Sequence, residues 1–228
     1  IMDNQKTLDE KSAEKKAFIE WDIENDLPST IGPYVLERTD EQDGRIYKAF
    51  RWIDHQSGWE VRAVFDGETA DYMIKVDLNF MTFTQIEVIS SDFETFKENV
   101  KNLTPGIIEE ELIKRDHISV LIKDKGFVNW NYETLLPAQI ETYERVIEPK
   151  KPITGLNGSY IIAAYQCKDR EAAMIFFYNV YRDEYYGEMR SKGIPLIMHK
   201  YDSQTIDEFS KALRSNLEKD LQDLYERS

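Results

Sequence analysis

The chain is written twice. Phe18, Trp21, Glu24, Leu27, Pro28, Ile31 and Tyr34 recur as Phe127, Trp130, Glu133, Leu136, Pro137, Ile140 and Tyr143, at a constant offset of 109. Further along the offset becomes 113, where Tyr47, Tyr72 and Phe96 meet Tyr160, Tyr185 and Phe209. A single long period means two copies of one domain-sized unit, not a solenoid, whose repeats run roughly 20–50 residues. Two units of about 110 residues each suit a 228-residue chain and the usual domain size. The expected organisation is a polar tail over 1–16, a first α+β repeat over 17–104, a linker over 105–125 and a second repeat over 126–228.

Within each copy the apolar pattern predicts the elements. Ile19, Trp21 and Ile23, and then Val128, Trp130 and Tyr132, alternate with polar neighbours, which is the period of a strand. Pro28 and Pro137 stand where a helix begins, since the first helical turn tolerates a missing N–H. Ile46 to Ile53 and Trp59 to Asp66 form a predicted hairpin, matched by Tyr160 to Gln166 and Ala172 to Asn179. Tyr181, Tyr185 and Met189 are four apart, with Gly193 beyond them as a helix-ending glycine, so a helix is expected there and over Thr69 to Phe80. Short strands over Gln85 to Ile89 and Leu196 to Tyr201 precede capped amphipathic helices, one carrying Phe93 to Leu103 and the other Ile206 to Leu224. A further strand is expected over Ile118 to Ile122.

This order, β-α-β-β-α-β with a terminal helix, is the ferredoxin-like arrangement. The expected fold class is α+β: a tandem duplication of a ferredoxin-like unit, with antiparallel sheets and helices. The open sheet face calls for the extra helix, the sister copy or a partner as cover. Such a fold hosts many functions and licenses none by itself.

The net charge of −14, from 43 acidic and 29 basic residues, repels phosphate backbones and anionic headgroups. Nucleic acid and membrane insertion are therefore not expected, and no stretch reaches the ~20 apolar residues of a bilayer span. The single Cys167 excludes an intrachain disulfide and points to the cytoplasm. An upstream signal or anchor stays open, because the sequence starts Ile1-Met2.

Chemical motifs are missing. His55, His117, His199 and Cys167 share no ligand spacing, so neither metal nor cofactor is expected. Asp40-Glu41-Gln42-Asp43-Gly44 fails as a calcium loop, because the first and last ligand positions would be Thr39 and Phe50. Cys167 would need a base beside it to act as a nucleophile, and its counterpart in the first copy is Asp54. No catalytic residue is assigned, and the protein is read as a non-enzyme.

The candidate binding residues are those that recur or offer recognition chemistry: Trp21, Glu24, Trp130, Glu133, Tyr181 and Tyr185. Each glutamate follows its tryptophan by three and also fits as a cap or ion-pair partner of a neighbouring helix. The tryptophans equally suit core anchoring. Tyrosine offers area and a polar tip at low entropic cost. The leading functional expectation is a non-catalytic binding protein whose acidic surface engages a protein partner. The alternatives are a sensor holding a small molecule between the repeats, and a hydrolase with dispersed carboxylates.

Overall fold

The computed structural model describes residues 6–228. The chain divides into two compact units, Ile1–Ile113 and Lys114–Ser228. Both are α+β, each with one antiparallel sheet and few helices.

The first unit opens with α1 (Leu8–Ile19) and the short α2 (Ile23–Asp26). Six strands follow without interruption: β1 (Thr30–Ile31), β2 (Tyr34–Asp43), β3 (Ile46–Ile53), β4 (Glu60–Asp66), β5 (Asp71–Asp77) and β6 (Thr82–Thr84). Their order in the sheet is their order in the chain, a meander of antiparallel neighbours. A 3₁₀ turn at Ile86–Val88 leads to α3 (Phe93–Ile107), which passes into a π-helical turn over Ile108–Ile113. The alternation of buried positions along β5 turns Tyr72, Ile74 and Val76 to one face, as a pleated strand requires. Phe18 of α1 meets Tyr72 edge-on at 5.1 Å, and Tyr72 meets Phe96 of α3 at 5.7 Å, so both helices share an aromatic core with the sheet.

In the second unit β7 (Gln139–Ile140), β8 (Tyr143–Ile147), β9 (Ile153–Thr154), β10 (Ser159–Cys167), β11 (Ala172–Asn179), β12 (Glu184–Ser191) and β13 (Ile194–Ile197) precede α4 (Ile206–Arg227). Here β8 and β9 both pair with β10. They divide between them the role that β2 fills with one long strand. Pro149 and Pro152 lie between them and withhold the ladder donors a continuous strand needs. Phe127, Tyr185 and Phe209 repeat the aromatic core, with centroids at 6.4 Å and 5.2 Å.

Positions 109 or 113 apart do the same jobs. Five pairs share the left-handed backbone region: Gly32 with Glu141, Gly44 with Asn157, Gly58 with Glu171, Ala70 with Asp183, and Asn79 with Lys192. The isolated bridge between Tyr72 and Ser90 has its counterpart between Tyr185 and Ser203. The Trp52 indole donates to the Pro28 carbonyl at 3.0 Å, and the Tyr165 hydroxyl to the Pro137 carbonyl at 2.7 Å. These correspondences fall on turns and buried polar groups, where backbone geometry is most constrained.

The expected hairpins and terminal helices are present, but the ferredoxin-like element order is not. Among the described residues no α-helix separates the strands of either sheet, and only a 3₁₀ turn at Lys168–Arg170 lies between β10 and β11. The stretches around Tyr72 and Tyr185 are β5 and β12, and Gly193 sits in the hairpin tip joining β12 to β13. The run from Phe18 to Glu24 is the end of α1, a connector and α2. Pro28 and Pro137 lead into small hairpins, β1–β2 and β7–β8, rather than helices. Gln85 to Ile89 is largely the 3₁₀ turn, and Ile118 to Ile122 forms turns rather than a strand.

The N-terminal tail reading falls partly on residues 1–5, outside those described. From Leu8 onward the tail is helical. Thr7 and Glu10 close α1 with a reciprocal capping box, which satisfies two of the orphan N–H groups of a helix start. Lys6 ion-pairs with Glu14 and, at 2.5 Å, with Asp92, the N-cap of α3. Nor does Thr104-Pro105-Gly106 end its helix: α3 continues through Pro105 to Ile107, and Ile108 and Leu112 are buried in the first unit.

Candidate functional site

The residues singled out in the sequence do not converge. Trp21 is buried, 4% exposed, between Phe50 and Phe93 at 5.4 and 5.9 Å. Its indole N–H donates to Asp26 Oδ2 at 2.7 Å, and that hydrogen bond is the chief reason the Asp26 carboxyl is held below its ordinary value. Tyr185 is also buried, stacked on Phe209. Neither presents a surface to a ligand, which corrects their assignment as binding residues. Both recur because the core needs them.

Trp130 is half-buried on the rim of the second core, beside Tyr132 and Phe209 at 6.0 and 5.7 Å. Glu24 is exposed on α2, and Glu133 is exposed with Lys150 Nζ 3.7 Å away. They belong to different units. Tyr181 is 80% exposed and covers the Gly158 turn, where a Cβ would come within 2.6 Å of its ring. Gly158 is thus a glycine for two reasons, its positive φ and this close approach.

Among the described residues no group of three or more His, Cys, Asp or Glu is placed to hold a metal ion. Cys167 is buried in the second core, where a thiol behaves as a small apolar side chain. His55 bonds Glu37 at 2.6 Å and His199 bonds Asp202 at 3.0 Å, both as surface pairs. The buried Asp220 accepts from Tyr201 Oη at 2.6 Å and pairs with Lys200 at 2.8 Å. Burial and this hydrogen bond raise the Tyr201 phenol above its ordinary value. Through these partners Asp220 fixes α4 to the turn that precedes it. No described helix is long and apolar enough to cross a membrane.

One concave feature was not anticipated. In the second unit a cavity of about 450 Å³ opens between the loop entering β7 and the middle of α4. Pro137 and Ile140, half-exposed, line one wall, and the buried Leu213 and Leu217 back the other behind Arg214, Ser215 and Glu218. Arg214, Glu218 and Lys219 stand exposed around it. Neither Arg214 nor Lys219 makes an ion pair among the described residues. Two uncommitted cations beside one acid make this a locally basic place on a chain of net charge −14.

The corresponding place in the first unit is closed. Ile31, the counterpart of Ile140, is 8% exposed, while the helix positions Thr104 and Leu217 are buried in both units. The π-helical turn after α3 brings Ile113 Cδ1 to 2.8 Å from where a Cβ on Gly32 would lie, so the chain itself seals the hairpin beside Ile31. Ile140 instead remains half-exposed. A hint was present in the sequence, in the Pro105-Gly106 pair that α4 lacks. Only the folded helices show its effect.

No protein-family model, curated protein or solved structure matches this chain.

Proposed function

We propose that this chain is a non-catalytic binding protein that engages a protein partner, with the open groove of the second unit as its site. The carrying observation is the asymmetry between equivalent places. The first unit covers its helix–hairpin seam with its own chain, and the second leaves apolar side chains half-exposed under unpaired cations. Concave apolar surface with a few polar groups at its edge is where recognition concentrates. The two units are read as copies of one ancestral unit, supported by the shared left-handed turns, and the second copy as the one released for binding. The strongly acidic remainder of the surface would steer basic regions of that partner in a salt-dependent manner. No nucleic acid, metal or cofactor is part of this reading, and the cytoplasm is its proposed compartment.

A photo-crosslinking residue at Asn216 in the groove, compared with one at Asp223 of the same helix, tests the proposal in cells. A discrete protein adduct at Asn216, lost on reversing Arg214 and Lys219 to glutamate, supports it. Equal labelling at both positions rejects it.

A second reading, a metabolite sensor, is favoured by the cavity volume alone, which lies in the range of small-molecule pockets. A thermal-shift panel separates the two, because a metabolite raises the melting temperature without any protein adduct.

A further inference from the structure

We infer that β13, the outer strand of the second unit's sheet, is a contact between two copies of this chain, pairing antiparallel with its counterpart about Ile197. This does not rest on the groove. The edge is made by the β12–β13 hairpin. Lys192 and Gly193 turn it with φ of 51° and 77°, the positive pair of a type I′ turn. Ser191 and Ile194 flank that turn as ladder partners, so they exchange hydrogen bonds, as do Met189 and Leu196. The alternate pairs, Arg190 with Pro195 and Glu188 with Ile197, do not. The backbone of Pro195 and Ile197 therefore faces away from β12, at the end of the sheet. The Pro195 carbonyl and both backbone groups of Ile197 stand open there.

The side chains agree. Leu196 packs on the core that α4 shares, so Ile197 emerges on the opposite face, where it is 85% exposed. In the first unit the same two outward places are Thr82 and Thr84 of β6. Sheet edges are commonly guarded by charge, and β13 carries none.

A second copy fits this edge. Ile197 against Ile197 of the other copy gives two reciprocal N–H···O=C bonds. A register centred on Pro195 gives none, because neither proline has an N–H. In the Ile197 register Pro195 meets the other copy's His199. The His199 carbonyl, which a proline could not serve, already accepts from the Asp202 N–H at 3.1 Å. Charge is compatible as well. Glu188, beside the seam, is paired with Arg190 at 3.1 Å. The exposed Lys192, in no ion pair among the described residues, comes to the strand end that carries the other copy's exposed Asp202. Twofold pairing consumes both edges and closes the assembly. Strands this short bury less than the ~1,000 Å² of a lasting interface, so the dimer depends on concentration.

Sedimentation of the full chain from about 1 μM to about 1 mM tests this. A monomer that passes into a dimer is expected. Ile197→Pro removes the outward N–H and spares the β12 ladder, so it should weaken association about tenfold or more with the melting temperature unchanged. Should that variant misfold, Ile197→Thr, copying Thr84, must still weaken it. The register is read by oxidative cross-linking. In a hydrogen-bonded pair Cα atoms lie ~5.5 Å apart, within disulfide reach, so Ile197→Cys should form a covalent dimer with copper phenanthroline as oxidant. Ile194→Cys faces Lys200 in this register and should not. A chain that stays monomeric throughout, a dimer indifferent to Ile197, equal cross-linking at both positions or open-ended assemblies each overturn the inference. A dimer lost only on the double variant R214E/K219E overturns it too, by moving the contact to the groove.

Discussion

The two units share five left-handed turns and a seam hydrogen bond under different side chains, and the differences show which features those places require. The carbonyl after Leu27 in one unit and Leu136 in the other needs a buried donor. Trp52 supplies an indole N–H and Tyr165 a phenol O–H. Five turn positions keep a left-handed backbone, yet glycine occupies three of them in the first unit and none in the second. The aromatic trio around Tyr72 and Tyr185 is retained in kind as well as place. What the core demands is therefore identity at the centre, a donor at the seam and only a path at the tips.

The sharpest way to break the comparison is to remove the recurring tryptophans. Trp21→Ala empties a buried site and frees the Asp26 carboxylate, and is expected to cost about 3–5 kcal/mol. Trp130→Ala, half-exposed, should cost about 1–2 kcal/mol. Urea unfolding of each variant measures both, and equal losses would show the two sites to be alike in energy after all. Tyr165→Phe keeps the ring and deletes the donor to the part-buried Pro137 carbonyl. A loss of about 1–3 kcal/mol is expected, and an unchanged midpoint would mean that water replaces the hydroxyl.

Smaller substitutions sharpen it. Glu171→Gly copies Gly58 into the second unit and Ala70→Gly relieves the first. Each should stabilise by about 0.5–1 kcal/mol by removing a Cβ from the left-handed region, and a destabilised variant would show that the side chain compensates for its strain. The smallest effect depends on pH. Burial, and then the neighbouring Glu87, raises the Glu111 carboxyl above its ordinary value. Ionised Glu111 thus burdens the folded state. The burden is absent where the group is protonated in both states and grows as pH rises through its ordinary value towards its folded one. Glu111→Gln should therefore raise the melting temperature at pH 7 and leave it unchanged below about pH 4. A gain of equal size at both pH values would assign the effect to packing instead.

The hairpins β3–β4 and β10–β11 and the terminal helices were legible, because long apolar runs with polar connectors admit one reading. The strands β5 and β12 were not. Tyr181, Tyr185 and Met189 stand four apart, and a spacing of four lies on one face of a helix and equally on one face of a strand. The short partner strand that decides the matter, β13, is too brief to announce itself. α1 was hidden for the opposite reason: only Phe18 of its residues is buried, so it carries no apolar stripe, and its capping box was the signal passed over. The site residues fared similarly. Recurrence of Trp21 and Tyr185 marked them as important without saying for what, and the answer is packing. The groove depends on where α3 and α4 part company, which no spacing reveals.

Shared left-handed bends at Ala70 and Asp183, each closing a loop between paired strands, make the ends of these ribbons interchangeable parts. Residues 67–70 and 180–183 enter and leave their loops at the same ladder positions. A reporter sequence built for one tip would therefore fit the other without re-threading the sheet, so two labels can be mounted on one molecule from a single design.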